Sequence, residues 1–160
     1  MTIEDVFNGA KMSFTFFVAY LNTVAQEIGM ERTLSLLTEM CETMGPILAQ
    51  MMKEQSGIKE IDAKTALSLL SPVIEGIGIS FEIVEESPQR VSFKDGRCPI
   101  YEACQTMGLD SRAIENLCRR GVARFMCTAS KELNPNLSHE LKKFRSAPDD
   151  SCIEVIELKK

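Results

Sequence analysis

No Cys-x-x-Cys pair occurs in the 160-residue chain, and His139 is its only histidine. The close cysteine spacing of zinc ribbons and thioredoxin-type redox sites is therefore missing, and any metal site has to be assembled from distant positions. A Gly-rich phosphate loop, a His-Glu-x-x-His helix and a nucleophile elbow are also missing. Basic residues are in deficit, with 18 lysines and arginines against 23 aspartates and glutamates for a net charge of −5. The chain lacks the excess that a phosphate backbone demands, so no nucleic-acid partner is expected. The most apolar early run, Phe14 to Leu21, is too short to span a bilayer, and the acidic start Thr2-Ile3-Glu4-Asp5 is unlike a secretory signal. No membrane partner and a cytoplasmic location are the expectations. Cys41, Cys98, Cys104, Cys118, Cys127 and Cys152 are then expected as reduced thiols.

What is present fits one packed core. At 160 residues and 44% hydrophobic content, a single domain over 1–160 is expected, with a helical hairpin over 1–57 and an α+β part over 58–160. Ile3, Phe7, Ala10, Phe14, Phe17, Leu21, Val24 and Ile28 recur at spacings of four and three, which predicts one apolar helix face ending at Gly29. Met30, Leu34, Leu37, Cys41, Met44, Leu48 and Met51 repeat the pattern, so the two seams face each other or a second copy of the chain in a homodimer. Gly45-Pro46 predicts a kink or break within the second helix. The several methionines would suit a core, a partner helix or a loosely shaped ligand.

Asp62 predicts the N-cap of a shorter helix, which Ser71-Pro72 should interrupt or restart. The period then changes to two. Ile79, Phe81 and Ile83, a turn at Glu86-Ser87-Pro88-Gln89, and Val91 and Phe93 predict a β-hairpin with one buried face. Pro99 predicts a helix start after Cys98, Gly108 its end, and a longer helix runs from about Ser111 to Leu133. After Asn134-Pro135-Asn136, alternation at 137–144 and 152–158 predicts a second hairpin. The expected architecture is α+β: a helical hairpin, then a four-stranded antiparallel sheet in the order β-β-α-α-β-β with helices on one face.

Cys98 falls at a helix N-cap, where unpaired amides and the helix dipole favour a thiolate, so a lowered pKa is expected. Nucleophile, metal ligand and space-filling thiol all remain open for it. On the helix from Ser111, Cys118 faces the core with Ile114 and Phe125, whereas Cys127 lies opposite among Arg120 and Arg124. Arg112, Arg119, Arg120 and Arg124, with Lys142, Lys143 and Arg145, form a basic stripe that suits either a solvated face or an anion-binding surface. His139 shares a strand face with Leu137 and Leu141 and is a candidate ligand-binding or acid/base residue.

Gly96-Arg97-Cys98-Pro99-Ile100-Tyr101-Glu102-Ala103, then Leu117-Cys118, then Leu133-Asn134-Pro135-Asn136-Leu137, and finally Cys152-Ile153-Glu154-Val155 together resemble the L-2-amino-thiazoline-4-carboxylic acid hydrolase-like family. The last strand is more distantly similar to vinyl reductase-type ligand-binding domains. The resemblance implies a small α+β protein in a family named after a ring-opening hydrolase, with Cys98, Cys118 and Cys152 as matching cysteines and Tyr101 and Glu102 beside them. Three such thiolates would suit a zinc or iron ion, with Glu102 or His139 completing the set. Three readings follow as expectations. The first is a cysteine-lined pocket for a small molecule or metal. The second is a hydrolase in which Cys98 or a metal-bound water attacks with Glu102 as acid or base, and the third is a structural protein that dimerises through its N-terminal helices.

Overall fold

The computed structural model describes residues 2–159. Local signals start the first helix where expected. Thr2 accepts a hydrogen bond from the Asp5 amide while the Asp5 carboxylate accepts from the Thr2 amide, and this capping box opens α1 (Ile3–Ile28). Gly29, at φ +85°, turns the chain within a single residue into α2 (Met30–Ser56), which completes the helical hairpin.

The second helix buries a different face from the one that a simple repeat predicts. On α2 the inward residues are Leu34, Leu37, Cys41, Gly45 and Ala49, so the seam moves one position over at Gly45 and Ala49 and leaves Met40, Met44, Ile47 and Met51 outside. The cause is the close crossing of α6. A Cβ on Gly45 would stand 2.7 Å from the Phe125 carbonyl oxygen and collide with the Thr128 hydroxyl, so a small residue is required there. Packing also overrides the proline, since α2 continues unbroken through Pro46. The expected break is absent because tertiary contact along this face, rather than the single missing backbone bond, sets the helix length.

Asp62 caps α3 (Ala63–Glu75) by accepting from the Thr65 amide at 2.8 Å, and this helix likewise runs through Pro72 without interruption. Strands β1 (Phe81–Glu86) and β2 (Arg90–Asp95) form the first hairpin. β1 is an edge strand with a register shift between Ile83 and Glu85, and Ile83 and Val84 face solvent rather than completing a buried face. Pro99 occupies the first turn of α4 (Pro99–Thr106), after Cys98 at the N-cap.

The single long helix expected from Ser111 is two, α5 (Ser111–Arg120) and α6 (Val122–Leu133). Gly121 sits between them with φ −103° and ψ −91°, outside the helical region. The Leu37 side chain of α2 presses on this glycine, within 3.2 Å of where a Cβ would be. Strands β3 (Leu137–Lys143) and β4 (Ile153–Leu158) finish a four-stranded antiparallel sheet in the order β1-β2-β4-β3.

The core has two lobes. One joins the sheet to α3 and α6 through Leu70, Val91, Phe93, Met126, Leu137 and Ile156; the other joins α1, α2, α4 and α5 through Val18, Leu34, Leu37, Ile100, Tyr101 and Leu117. Ile77, Cys98 and Phe125 touch both lobes. The functional question concentrates at that junction.

Candidate functional site

A cavity of about 90 Å³ lies at the junction, walled by Ile74, Ile77, Val122, Phe125, Met126 and Leu141. On this measure one water needs about 10–15 Å³, so the space suits a single substituted ring. Cys98, Cys118, Cys152 and Tyr101 also line it, which brings four of the residues singled out in the sequence to one place.

The thiols are not activated. Cys98 occupies the helix N-cap as expected, yet burial pushes it up to about 11, outweighing the Tyr101 and Ile100 amides and the nearby Arg145 charge. The expectation of a lowered pKa is therefore corrected. Burial also raises Cys152, and it lifts Cys118 well above the ordinary thiol value. Neutral thiols are poor nucleophiles. Among the described residues no three His, Cys, Asp or Glu side chains converge closely enough to hold a metal ion, so Cys98, Cys118 and Cys152 share a cavity without forming the expected ligand set.

Glu102 does not line the cavity. It points to the outer side of α4, where Lys11 donates to it at 3.0 Å and Arg97 at 2.9 Å. Burial opposes its ionisation, but Arg97 and Lys11 outweigh that effect and hold it below the usual carboxylate range. Most of the basic stripe is similarly occupied. Arg119 pairs with Glu115, Arg120 with Glu31, Arg124 with Glu42 and Lys143 with Asp150.

Arg145 departs from that stripe altogether. It is 1% exposed, lines the cavity, donates to the Gly96 carbonyl at 2.6 Å and lies over the Tyr101 ring at 5.6 Å. Beside it, Asp95 and Glu154 also enter the cavity wall. These two and His139 occupy inward positions on three adjacent strands. Glu154 on β4 stands opposite Phe93 of β2 and Leu141 of β3, one inward step from Asp95 and from His139. His139 Nε2 is hydrogen-bonded to Glu154, and the His139 ring is buried behind that carboxylate, away from the cavity.

This cluster holds protons unevenly. Burial drives the Asp95 carboxyl up to about 9, and the adjacent Glu154 carboxylate adds to the rise. Burial also penalises charge on Glu154, but hydrogen bonds from His139 and Asp95 and the Arg145 charge keep it below its ordinary value. Asp95 is thus the acid and Glu154 the carboxylate of a pair sharing one proton. Arg145 Nε, Asp95 Oδ1 and His139 Nδ1 are buried without a hydrogen-bond partner among the described residues.

Asp95, Glu154 and Arg145 are the members of the site that sequence reasoning passed over. Alternation carries a signal for two of them. Val91-Phe93-Asp95 and Cys152-Glu154-Ile156-Leu158 each place one carboxylate in an otherwise apolar inward row. Arg145 sits in the turn after β3, where nothing local distinguishes it from Lys142 and Lys143.

Residues 9–131 match the family model for L-2-amino-thiazoline-4-carboxylic acid hydrolase. That span runs from α1 to α6 and stops before His139, Arg145, Cys152 and Glu154. No curated protein matches the sequence. Two solved structures share the fold. One is a trafficking protein particle complex subunit 3 from Naegleria fowleri covalently bound to palmitic acid, at TM-score 0.62 and 15% identity over 94% of this chain and 97% of that one. The other is the phenol-responsive sensory domain of the transcription activator PoxR with phenol, at TM-score 0.61 and 12% identity over 91% of this chain and 74% of that one. Because the family match takes in well over half of its residues, the chain belongs to the L-2-amino-thiazoline-4-carboxylic acid hydrolase family.

Proposed function

We propose that this protein binds a small, ring-sized molecule in the cavity between its helices and sheet. The observation that carries the reading is a mostly apolar cavity that ends in a buried guanidinium and a carboxyl pair with unused hydrogen-bonding atoms. Apolar walls with a few convergent polar groups are the usual design of a small-molecule site. Both structural neighbours were solved with a small molecule, phenol in one and a covalently attached palmitate in the other. The cavity volume favours a ring over a long acyl chain. Ala123 lines the cavity and is partly exposed, so filling the space from that position is the direct test. Toluene and phenol should raise the melting temperature of the wild type and leave Ala123→Phe unshifted. Equal shifts in both would place binding elsewhere.

Hydrolysis is a second reading, supported by family membership and by the Asp95–Glu154 pair, which offers an acid and a base to one cavity. With the thiols held neutral, water rather than Cys98 is the nucleophile in this reading. Incubation with 2-amino-thiazoline-4-carboxylate, followed by NMR for ring opening, tests it; an unchanged spectrum that still shows the compound bound would leave a binding protein.

Dimerisation through the N-terminal helices is a third reading. It is supported by the exposed row Leu36, Met40, Met44, Ile47 and Met51 on α2 and by Met12, Phe16 and Tyr20 on α1. Sedimentation of the wild type against Ile47→Glu checks it, and a monomer in both would end it.

A further inference from the structure

The chemistry of the polar end points to the kind of molecule the cavity takes, given the ligand-pocket reading above. Asp95 and Arg145 are 6% and 1% exposed, and both line the cavity. Each also has one atom, Asp95 Oδ1 and Arg145 Nε, with no partner among the described residues. Leaving such atoms unpaired is costly, so a site that buries them suits a guest that pairs them.

Their roles differ. Arg145 already donates to the Gly96 and Pro148 carbonyls, and its Nε–H has only a donor to offer. Asp95 shares its proton with Glu154, which His139 holds from the far side, and Asp95 Oδ1 has no donor among the described residues. The pair carries one negative charge, and the Arg145 guanidinium lies beside it. A cationic guest would therefore meet the guanidinium, and an anionic one would meet the Asp95 lone pairs and the Glu154 carboxylate.

We propose that the polar end of this cavity selects planar, neutral molecules that carry an N–H beside a carbonyl oxygen, such as a ring amide, lactam or cyclic urea. The N–H donates to Asp95 Oδ1 and the oxygen accepts from Arg145 Nε. Recognition then depends on the proton that Asp95 shares with Glu154, because an ionised Asp95 would add a second buried charge beside the guest. The other titratable groups around Asp95 are Cys98 at the start of α4, Cys152 before β4, Cys118 on α5, Tyr101 on α4, and His139 behind Glu154.

Asparagine reproduces the protonated carboxyl, with an NH2 to donate to Glu154 and an oxygen to accept. Asp95→Asn is therefore the informative variant, and Asp95→Leu its contrast. Benzamide, benzoate and toluene are the probes, titrated by calorimetry from pH 6 to 10. The expected result at pH 7 is benzamide bound at least tenfold more tightly than toluene or benzoate. Asp95→Asn should keep that preference and Asp95→Leu should lose it. Wild-type affinity for benzamide should fall as pH rises through about 9, where Asp95 ionises, while Asp95→Asn stays flat to pH 10. Toluene bound as well as benzamide, or a wild type and an Asp95→Asn variant with the same pH profile, would overturn this inference and leave the apolar pocket standing. A wild type that binds neither benzamide nor toluene would overturn the pocket reading and this inference with it.

Discussion

Two clusters of the same residue types sit on opposite sides of the N-terminal end of α4. Outside, Glu102, Lys11, Arg97 and Glu4 form a chain of ion pairs at 2.9 to 3.3 Å, with the Arg97 side chain 52% exposed. Inside, Asp95, Glu154, His139 and Arg145 form a cluster in which the His139 side chain is 0% exposed. Each holds acids against bases, yet only the inner one forces two carboxyls apart in proton affinity. The lesson is that desolvation tunes the chemistry. Water screens the outer charges, whereas the inner ones must settle their protonation among themselves.

The largest expected difference between the clusters lies in the removal of the arginines. Arg145→Met leaves the carboxylate of the inner pair without its counter-ion and should lower stability by about 3 kcal/mol in urea denaturation. Arg97→Met should lower it by at most about 1 kcal/mol. Similar losses would erase the distinction between the two clusters.

Glu154→Gln comes next. It replaces the acceptor of the His139 hydrogen bond and removes the carboxylate that raises Asp95. A loss of about 2 kcal/mol is expected from one charged hydrogen bond. The Asp95 carboxyl should move down from about 9, which a carbon-13 titration of labelled aspartate would follow.

The pH dependence of stability separates the two clusters by its sign. Asp95 has a folded pKa raised above its unfolded value, so between about pH 4 and 9 the native state holds a proton that the unfolded chain does not. Stability should therefore fall as pH rises across that window. Glu154 is shifted the other way, so its contribution is present above the ordinary carboxylate range and is lost as pH falls through its lowered folded value. Denaturation of the wild type and Asp95→Asn from pH 5 to 9 should show the wild type losing ground steadily relative to the variant. Parallel curves would mean that Asp95 is ionised throughout.

The smallest effect concerns thiol chemistry. With Cys98 pushed up to about 11, its alkylation by iodoacetamide at pH 7.5 should be slower than that of a free cysteine and should climb about tenfold per pH unit to pH 10. Mass-spectrometric mapping of the modified residue reads this directly. Fast labelling at pH 7.5 would restore the activated helix-cap thiol expected from sequence.

Much of the fold was legible because its signals are local. Thr2 and Asp62 cap helices through their own side chains, Pro99 opens α4, and the alternation at Val91-Phe93 and Leu137-His139-Leu141 marks strands whose inner faces are buried. The candidate site was legible in part. Cys98, Tyr101, Cys118 and Cys152 do line one cavity, but Glu102 faces the other way because Lys11 of α1 and Arg97 draw it outward. Arg145 was hidden among surface-type residues, since its burial depends on the Gly96 and Pro148 carbonyls that receive it and on the Tyr101 ring beneath it.

The sequence by itself determined where α1, α3 and α4 begin and which residues of β2 and β3 alternate inward, and it carries the alternation that puts Asp95 and Glu154 in inward rows. Those follow from side chains bonding to their own backbone and from a period of two or of about 3.6. The tertiary structure alone decided that α2 buries Gly45 rather than Met44, that the chain bends at Gly121, that the cavity thiols stay protonated, and that one proton is shared across β2 and β4. Each of these depends on how closely a remote element approaches and how much water it removes, a distance in space that no spacing along the chain encodes.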